Sequence, residues 1–137
     1  MKNALILFFV LPYLFFTTNI QKTDFVGKWT GEDNGEIGFI IFDDEGYAAF
    51  EVNGQLLGGK DFEMNGEKGE MTYKIDDSKD PIEIDLTMRK FTSKEERTLL
   101  CIAKFTDKNN LMFAMGYGDT RPVDFNGDET IELQRVE

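Results

Sequence analysis

Short hydrophobic stretches alternate with clusters of turn-forming residues along most of the chain. In the clearest stretch, residues 82–89, apolar and polar side chains alternate strictly. Such alternation is typical of a β-strand that buries one face and exposes the other. Residues 71–76 repeat the pattern, and no long stretch has a convincing helical period. The chain is therefore predicted to be all-β.

The same pattern places the individual strands and indicates how they connect. Eight strands are predicted, with a weaker one within 56–64: 25–31, 36–43, 46–53, 70–76, 82–90, 97–105, 110–117 and 129–136. Asn53-Gly54 and Asn65-Gly66 favour tight turns because both residue types accept positive φ. Successive short antiparallel strands favour an up-and-down barrel of about eight strands over a two-sheet sandwich. Such a barrel is either filled by side chains or holds one small ligand.

The N-terminal segment differs from the rest of the chain. Lys2 precedes an apolar run at residues 4–16. This run is shorter than the about 20 residues that span a bilayer, and it suits a secretory signal peptide. We expect cleavage at about residues 18–20, which gives a signal peptide at 1–19 and one lipocalin-like β-barrel domain at 20–137. The alternatives are an uncleaved anchor and a buried strand, although Pro12 weakens a stable membrane helix.

The charge of the chain limits its partners and its compartment. Fifteen basic and 26 acidic residues give a net charge of −11, and loss of residues 1–19 removes Lys2 and no acid. A strongly acidic chain is not expected to bind nucleic acid, which requires a basic face. One Cys allows no internal disulfide, which favours a bacterial periplasm or exterior. We expect an exported monomer with no stable membrane span after processing.

The sequence offers no catalytic apparatus. The absence of His excludes Ser-His-Asp catalysis and His-ligated zinc. The acids at 43–45, 76–77 and 124–128 lack the spacing of a calcium loop and are explained as turn formers. Acids in the strands fall on polar positions, which disfavours the facing carboxylate pair of a glycosidase. Cys101 lies among apolar residues and is predicted to be buried and inert. We therefore expect a protein that is not an enzyme and has no metal or cofactor.

Two residues far apart in sequence predict how the barrel closes. Gly27 and Trp29 lie in the first predicted strand, and Arg135 in the last one shares the apolar phase of Ile131 and Leu133. Stacking of Arg135 on the Trp29 ring would stabilise it by about 1–2 kcal/mol and tie the two strands together. The alternative is a core Trp and a surface Arg. Gly-x-Trp on the first strand, with a matching terminal Arg, resembles the lipocalin signature.

A more specific resemblance covers about residues 25–137. It is carried by Tyr73-Lys74-Ile75-Asp76, Lys79-Asp80-Pro81, Ile84-Asp85-Leu86-Thr87 and Arg121-Pro122-Val123-Asp124-Phe125. These stretches resemble a family of exported bacterial domains abundant in planctomycetes, whose pattern runs Tyr-Lys-Leu-Asp, Lys-x-Pro, Ile-Asp-Leu-Thr and Arg-Pro-Thr-Glu-Phe. The chain departs from that pattern around 97–105. The resemblance implies a lipocalin-like fold and assigns no biochemical role.

Met, Phe and Tyr side chains in the strands are the best candidates for a ligand site, because they line adaptable cavities well. The predicted ligand-binding residues are Phe39, Phe50, Tyr73, Met88, Phe113, Met115, Tyr117 and Arg121. Arg121 would hold a ligand carboxylate or, as we favour, pair with a nearby acid.

The leading hypothesis is therefore a carrier of a small apolar or amphipathic molecule. The alternatives are a filled-barrel protein-interaction or envelope-structural module and, less favoured, a hydrolase. An interior cavity above about 300 Å³ would favour the carrier.

Overall fold

The computed structural model describes residues 20–116 and 118–136. The predicted signal peptide and Tyr117 lie outside the described residues. A 3₁₀ turn at Lys22–Phe25 precedes a series of β-strands. The strands are β1 Gly27–Asp33, β2 Glu36–Phe42, β3 Ala48–Val52, β4 Gln55–Gly58, β5 Phe62–Met64, β6 Glu67–Asp76, β7 Ile82–Lys90, β8 Glu96–Asp107, β9 Asn110–Met115 and β10 Thr130–Val136.

All the strands belong to one antiparallel sheet that curls into a nearly closed barrel. Its order is β4-β3-β2-β1-β10-β9-β8-β7-β6-β5. Strands adjacent in sequence therefore pair, except β4 with β5, and the first strand of the barrel also pairs with the last. The predicted all-β class and up-and-down barrel are confirmed. In the described residues no helix is long and apolar enough to cross a membrane.

The predicted number of strands is wrong, because the described residues form a sheet of ten strands and not about eight. The region expected to hold one weak strand forms β4 and β5; β4 ends at Gly58, and Gly58 and Gly59 have positive φ of 114° and 84°. The flanking turns at Asn53-Gly54 and Asn65-Gly66 have positive φ at both residues, as hairpin turns of this type require.

The barrel closes at a seam where β4 and β5 do not pair. Here Tyr47, the residue before β3, forms a bridge with Thr72 of β6. The Tyr73 amide donates to the Gly46 carbonyl at 2.9 Å, and the Met71 amide donates to the Gly59 carbonyl at 2.9 Å. These few backbone hydrogen bonds connect the two edges of the sheet, which the regular strand pairings leave unjoined.

The hydrophobic core fills the barrel interior. Strict alternation puts Ile82, Ile84 and Leu86 of β7 inside, while Glu83 and Asp85 between them face outward. The largest fully buried side chains come from strands around the ring and from the 3₁₀ turn: Trp29, Phe25, Phe42, Phe113, Met71, Ile84 and Leu86.

One end of the barrel, which we call the closed end, is sealed by aromatic side chains. Phe25 of the 3₁₀ turn is fully buried, with its ring 4.8 Å from Phe105 and 6.1 Å from Phe42. Trp29 packs on Phe105 at 5.8 Å, and its indole N–H donates to the Phe25 carbonyl at 2.9 Å. The 3₁₀ turn therefore acts as a plug.

The predicted contact between the first and last strands is present at this end. Trp29 and Arg135 are direct partners in the β1–β10 ladder. The Arg135 guanidinium lies 4.2 Å from the centre of the Trp29 ring. It also donates to the Val26 carbonyl at 2.9 Å and to the Asp24 carbonyl at 2.7 Å. One side chain therefore links β10, β1 and the plug.

Two glycines of β1 allow this close approach. Gly27 has φ of +136°, and a Cβ there would lie 3.1 Å from the Arg135 guanidinium. At Gly31 a Cβ would lie 2.7 Å from the Leu133 side chain and 2.8 Å from that of Ile131. The absence of side chains at both positions lets β10 lie close to β1.

We predict that Arg135→Gln lowers the free energy of unfolding by about 2–4 kcal/mol, because it removes the stacking contact and charged hydrogen bonds. Arg135→Lys keeps the charge but loses the planar guanidinium with its several donors. It should therefore lower the free energy of unfolding by less than Arg135→Gln does. Urea unfolding measures both variants. Arg89→Gln is the matched control, since its ion pair with Glu96 is 3.7 Å long and exposed; it should cost less than about 1 kcal/mol. Equal losses at both arginines would contradict this role.

Candidate functional site

The opposite end of the barrel interior, the open end, is the candidate site. The innermost positions are filled, but a ring of apolar side chains toward this end is only partly buried. They come from five strands and are Phe50, Met88, Leu99, Met115 and Ile131. No plug like that of Phe25 covers them among the described residues. They form an apolar surface that solvent reaches from one side.

The first cavity at the open end has a volume of about 200 Å³. It lies against β1, β2, β3, β9 and β10, with Phe50, Met115 and Ile131 as its larger apolar side chains. Gly31 and Gly38 face each other across the β1–β2 ladder. Side chains of β10 fill the space over Gly31, whereas a Cβ at Gly38 would meet only ordinary contacts at 3.5 Å. Part of this cavity therefore exists because residue 38 has no side chain.

The second cavity has a volume of about 240 Å³ and lies against β6, β7 and β8. Met71, Leu86, Met88 and Leu99 form its apolar wall, and Arg97 lies on its rim. Leu99 of this cavity is close to Met115 of the first, because Cys101, two residues along β8, pairs with Met115. The two cavities thus adjoin around one opening.

Neither cavity alone reaches the volume of about 300 Å³ that would favour a carrier on its own. Both are predominantly apolar. The geometry suits a small molecule, and a large lipid would not fit without rearrangement of the side chains.

The structure brings three of the predicted ligand-binding residues together at the open end: Phe50, Met88 and Met115. Phe113 faces inward but is fully buried beneath them. The Tyr73 hydroxyl donates to the Asp43 carbonyl beside the seam, and its ring packs on Phe42 at 5.0 Å. Burial raises the pKa of Tyr73 above its usual value. Phe113 and Tyr73 therefore support the site from below.

Phe39 and Arg121 face away from the barrel interior. Ile40 of β2 points inward, so Phe39 points outward; it borders the first cavity, but its ring lies 4.2 Å below the Lys28 ammonium. The structure shows the ion pairs that we favoured for Arg121, which contacts Glu83 at 3.6 Å and Asp85 at 2.5 Å on the outer face. The Arg121 guanidinium also donates to the Cys101 carbonyl at 2.8 Å. It fastens the loop after β9 to the outside of the barrel.

Sequence reasoning missed Leu99, Ile131 and Arg97. Residues 99–103 of β8 are apolar at every position, so alternation does not show which of them face inward. Arg97 lies two and four residues before Leu99 and Cys101, so all three face the same side of the strand. This spacing was the signal that could have identified Arg97. Ile131 shares the inner phase of Leu133 and Arg135 in β10.

Cys101 offers no reactive thiol at the site. It is fully buried, and desolvation raises its pKa to about 12, with only partial opposition from the Arg121 charge. The thiolate is the nucleophilic form of Cys, so the folded protein keeps this side chain unreactive at neutral pH. This geometry agrees with the structural role expected from its neighbours.

The acidic clusters hold their own turns. Asp43 accepts hydrogen bonds from the amides of Glu45 and Tyr47, and Asp76 accepts bonds from Ser78. The bonds from Ser78 lower the pKa of Asp76. Across 20–116 and 118–136, no group of three or more His, Cys, Asp or Glu side chains is arranged to hold a metal ion.

The outer face of the barrel carries a depression of about 690 Å³, which we call the outer groove. It runs over β1, β9 and β10 and is lined mainly by polar side chains together with Ile37 and Met112. The outer groove is larger than either interior cavity but less apolar, so it is a weaker candidate for an apolar ligand.

Comparisons with known proteins add no assignment. No family model matches the chain, and neither the curated proteins nor the solved structures gave a match.

We predict that Ellman's reagent labels Cys101 only when the protein unfolds. The folded thiol holds its proton up to a pKa of about 12, whereas the unfolded thiol ionises near 9.0. This difference contributes stability that is present below about pH 9 and is lost as the pH rises toward 12. Labelling at pH 8 should be slow in buffer and rapid in denaturant. Labelling at the same rate in both conditions would mean that the thiol is accessible in the folded barrel.

Proposed function

We propose that this protein is an exported, non-catalytic, lipocalin-like binding protein that holds a small apolar or amphipathic ligand at the open end of its barrel. The observation that carries the proposal is the half-buried ring of Phe50, Met88, Leu99, Met115 and Ile131 around two adjoining apolar cavities. When a ligand covers the exposed apolar surface of these side chains, the free energy of binding becomes more favourable by about 25 cal/mol for each Å² removed from water. At the closed end Trp29 and Phe25 fill the interior. A depression of about 530 Å³ against Phe105 at that end is more polar, with Asp77, Lys79 and Lys104 in its lining.

The lipocalin-like kinship is supported by three features together. The barrel is antiparallel with consecutive strands paired. Gly-x-Trp lies on its first strand, and Arg135 of the last strand stacks on that Trp. The stretches at 73–76 and 84–87 that resemble the planctomycete-abundant family lie on β6 and β7, where residues 73–75 pair with 84–86.

Export rests on the N-terminal apolar run after Lys2, and it suits the acidic composition of the rest of the chain. A non-catalytic role rests on the chemistry of the open end. Its cavities are predominantly apolar, although Asp33 and Glu36 also line the first one. Cys101 is buried beneath them, and the carboxylates of Glu83 and Asp85 are paired with Arg121 on the other face.

A protein-interaction or envelope-structural module is the second candidate, and one observation favours it. Ile37 and Leu56 are 62% and 59% exposed on the outer face of the barrel. Exposed apolar side chains grouped on one face can mark a contact surface. In that case the interior cavities would be packing defects, and the outer face would carry the function.

Methionine-methyl NMR distinguishes the two candidates, because Met side chains lie in both places. On titration with 1-octanol, we expect the methyl signals of Met88 and Met115 to shift. The methyl of Met112, in the outer groove, serves as the internal control and should not shift. No shift up to the solubility limit of octanol, or a shift at Met112 alone, would overturn the carrier proposal.

A variant that fills the first cavity tests the site directly. Gly38→Leu should weaken octanol binding by about tenfold, because its side chain displaces about two ligand methylenes worth about 0.8 kcal/mol each. A Cβ is accommodated at this position, so thermal unfolding should change little. Gln134→Leu adds the same side chain on the outer groove and should leave octanol binding unchanged. Unchanged affinity in Gly38→Leu would mean that the first cavity is not part of the site.

A further inference from the structure

Among the described residues, Arg97 is the basic residue that lines one of the two open-end cavities. Arg97 lies on the rim of the second cavity and pairs with Met88 across the β7–β8 ladder. It shares the inner phase of Leu99 and Cys101, so its stem begins on the cavity side of the strand.

Two basic residues near Arg97, Lys90 and Arg89, are paired with acids. Lys90 contacts Glu95 at 3.2 Å and Glu67 at 3.5 Å. Arg89, on the outer face of β7, contacts Glu96 at 3.7 Å. These pairs also occupy the acids closest to Arg97 in sequence. Arg97 itself forms no ion pair with any residue that the structure describes.

The geometry next to Arg97 provides a place for an apolar chain. Leu99 is the next inward-facing residue of β8 after Arg97, and it pairs with Leu86 of β7. The buried Cys101 lies four residues from Arg97, which is about 13 Å along the strand at about 3.3 Å per residue. Met71 and Met88 complete this wall. A molecule with one charged end and a short apolar chain would place the charge at the rim and the chain in the cavity.

We propose that the ligand is a small amphipathic carboxylate whose carboxylate binds the Arg97 guanidinium at the rim of the barrel; this inference rests on the proposed carrier function. The planar fork of Arg matches two carboxylate oxygens. The net charge of −11 repels anions at a distance. At physiological salt, charges more than about 8 Å apart are largely screened. The charge of Arg97 beside the ligand therefore has more effect on binding than the net charge of the chain.

The carboxylates on the other side of the opening offer a competing site for a ligand of opposite charge. Asp33 and Glu36 line the first cavity from the β1–β2 turn. A cationic head group would bind there. The two arrangements make opposite predictions for ligands that share one chain and differ in charge.

The test compares octanoate, 1-octanol and octylammonium by titration of the Met88 and Met115 methyl signals in physiological salt. Octanoate should bind about fivefold to tenfold more tightly than octanol, which is the scale of a charged hydrogen bond at a partly exposed site. Arg97→Gln should remove that advantage and leave octanol affinity unchanged. Arg89→Gln is the matched control and should change neither affinity.

The outcomes separate this inference from the function beneath it. If octanol binds but octanoate gains nothing from Arg97, the carrier proposal stands and the carboxylate inference falls. Tighter binding of octylammonium than of octanoate would also overturn it and would place the head group at Asp33 and Glu36. If none of the three probes shifts Met88 or Met115, the carrier proposal itself fails, and the inference fails with it.

Discussion

The contact between Arg135 and Trp29 is the interaction on which the closed end of the barrel depends. The guanidinium faces the indole ring at 4.2 Å and at the same time donates to the carbonyls of Val26 and Asp24. It thereby joins the last strand, the first strand and the turn that carries Phe25. Because β1 and β10 lie at opposite ends of the sequence, closing the ring between them costs chain entropy. A partly buried cation stacked on an aromatic ring helps to offset that cost.

The two ends of the barrel follow from this closure. The strands supply inward-facing apolar side chains along their whole length, and the 3₁₀ turn covers those at one end only. Phe25 is therefore fully buried, whereas Phe50, Met115 and Ile131 remain partly exposed at the other end. The segment before β1 thus packs one end of the barrel, and Gly38 of β2 leaves space at the other end.

Much of the barrel could be predicted because its strands have one buried face. Alternation correctly placed Ile82, Ile84 and Leu86 inside, and the shared phase with Leu133 put Arg135 there too. The division of β4 from β5 could not be predicted, because it depends on the backbone angles of Gly58 and Gly59. The site was harder to predict. Arg121 is placed by an irregular loop with no period, and the apolar residues on both faces of β8 concealed the inward phase of Arg97.

The size of the cavities sets the affinity that such a site can reach. Volumes of about 200 and 240 Å³ admit a ligand of roughly ten non-hydrogen atoms. The favourable free energy of binding is at most about 1.5 kcal/mol per non-hydrogen atom for the smallest ligands, and about 0.3 kcal/mol per non-hydrogen atom for drug-sized ones. An intermediate value of about 0.5 kcal/mol gives roughly −5 kcal/mol, which lies between millimolar and micromolar dissociation constants. At that affinity a single charged contact of about 1 kcal/mol changes binding severalfold, so a rim cation would govern which small amphiphile is selected.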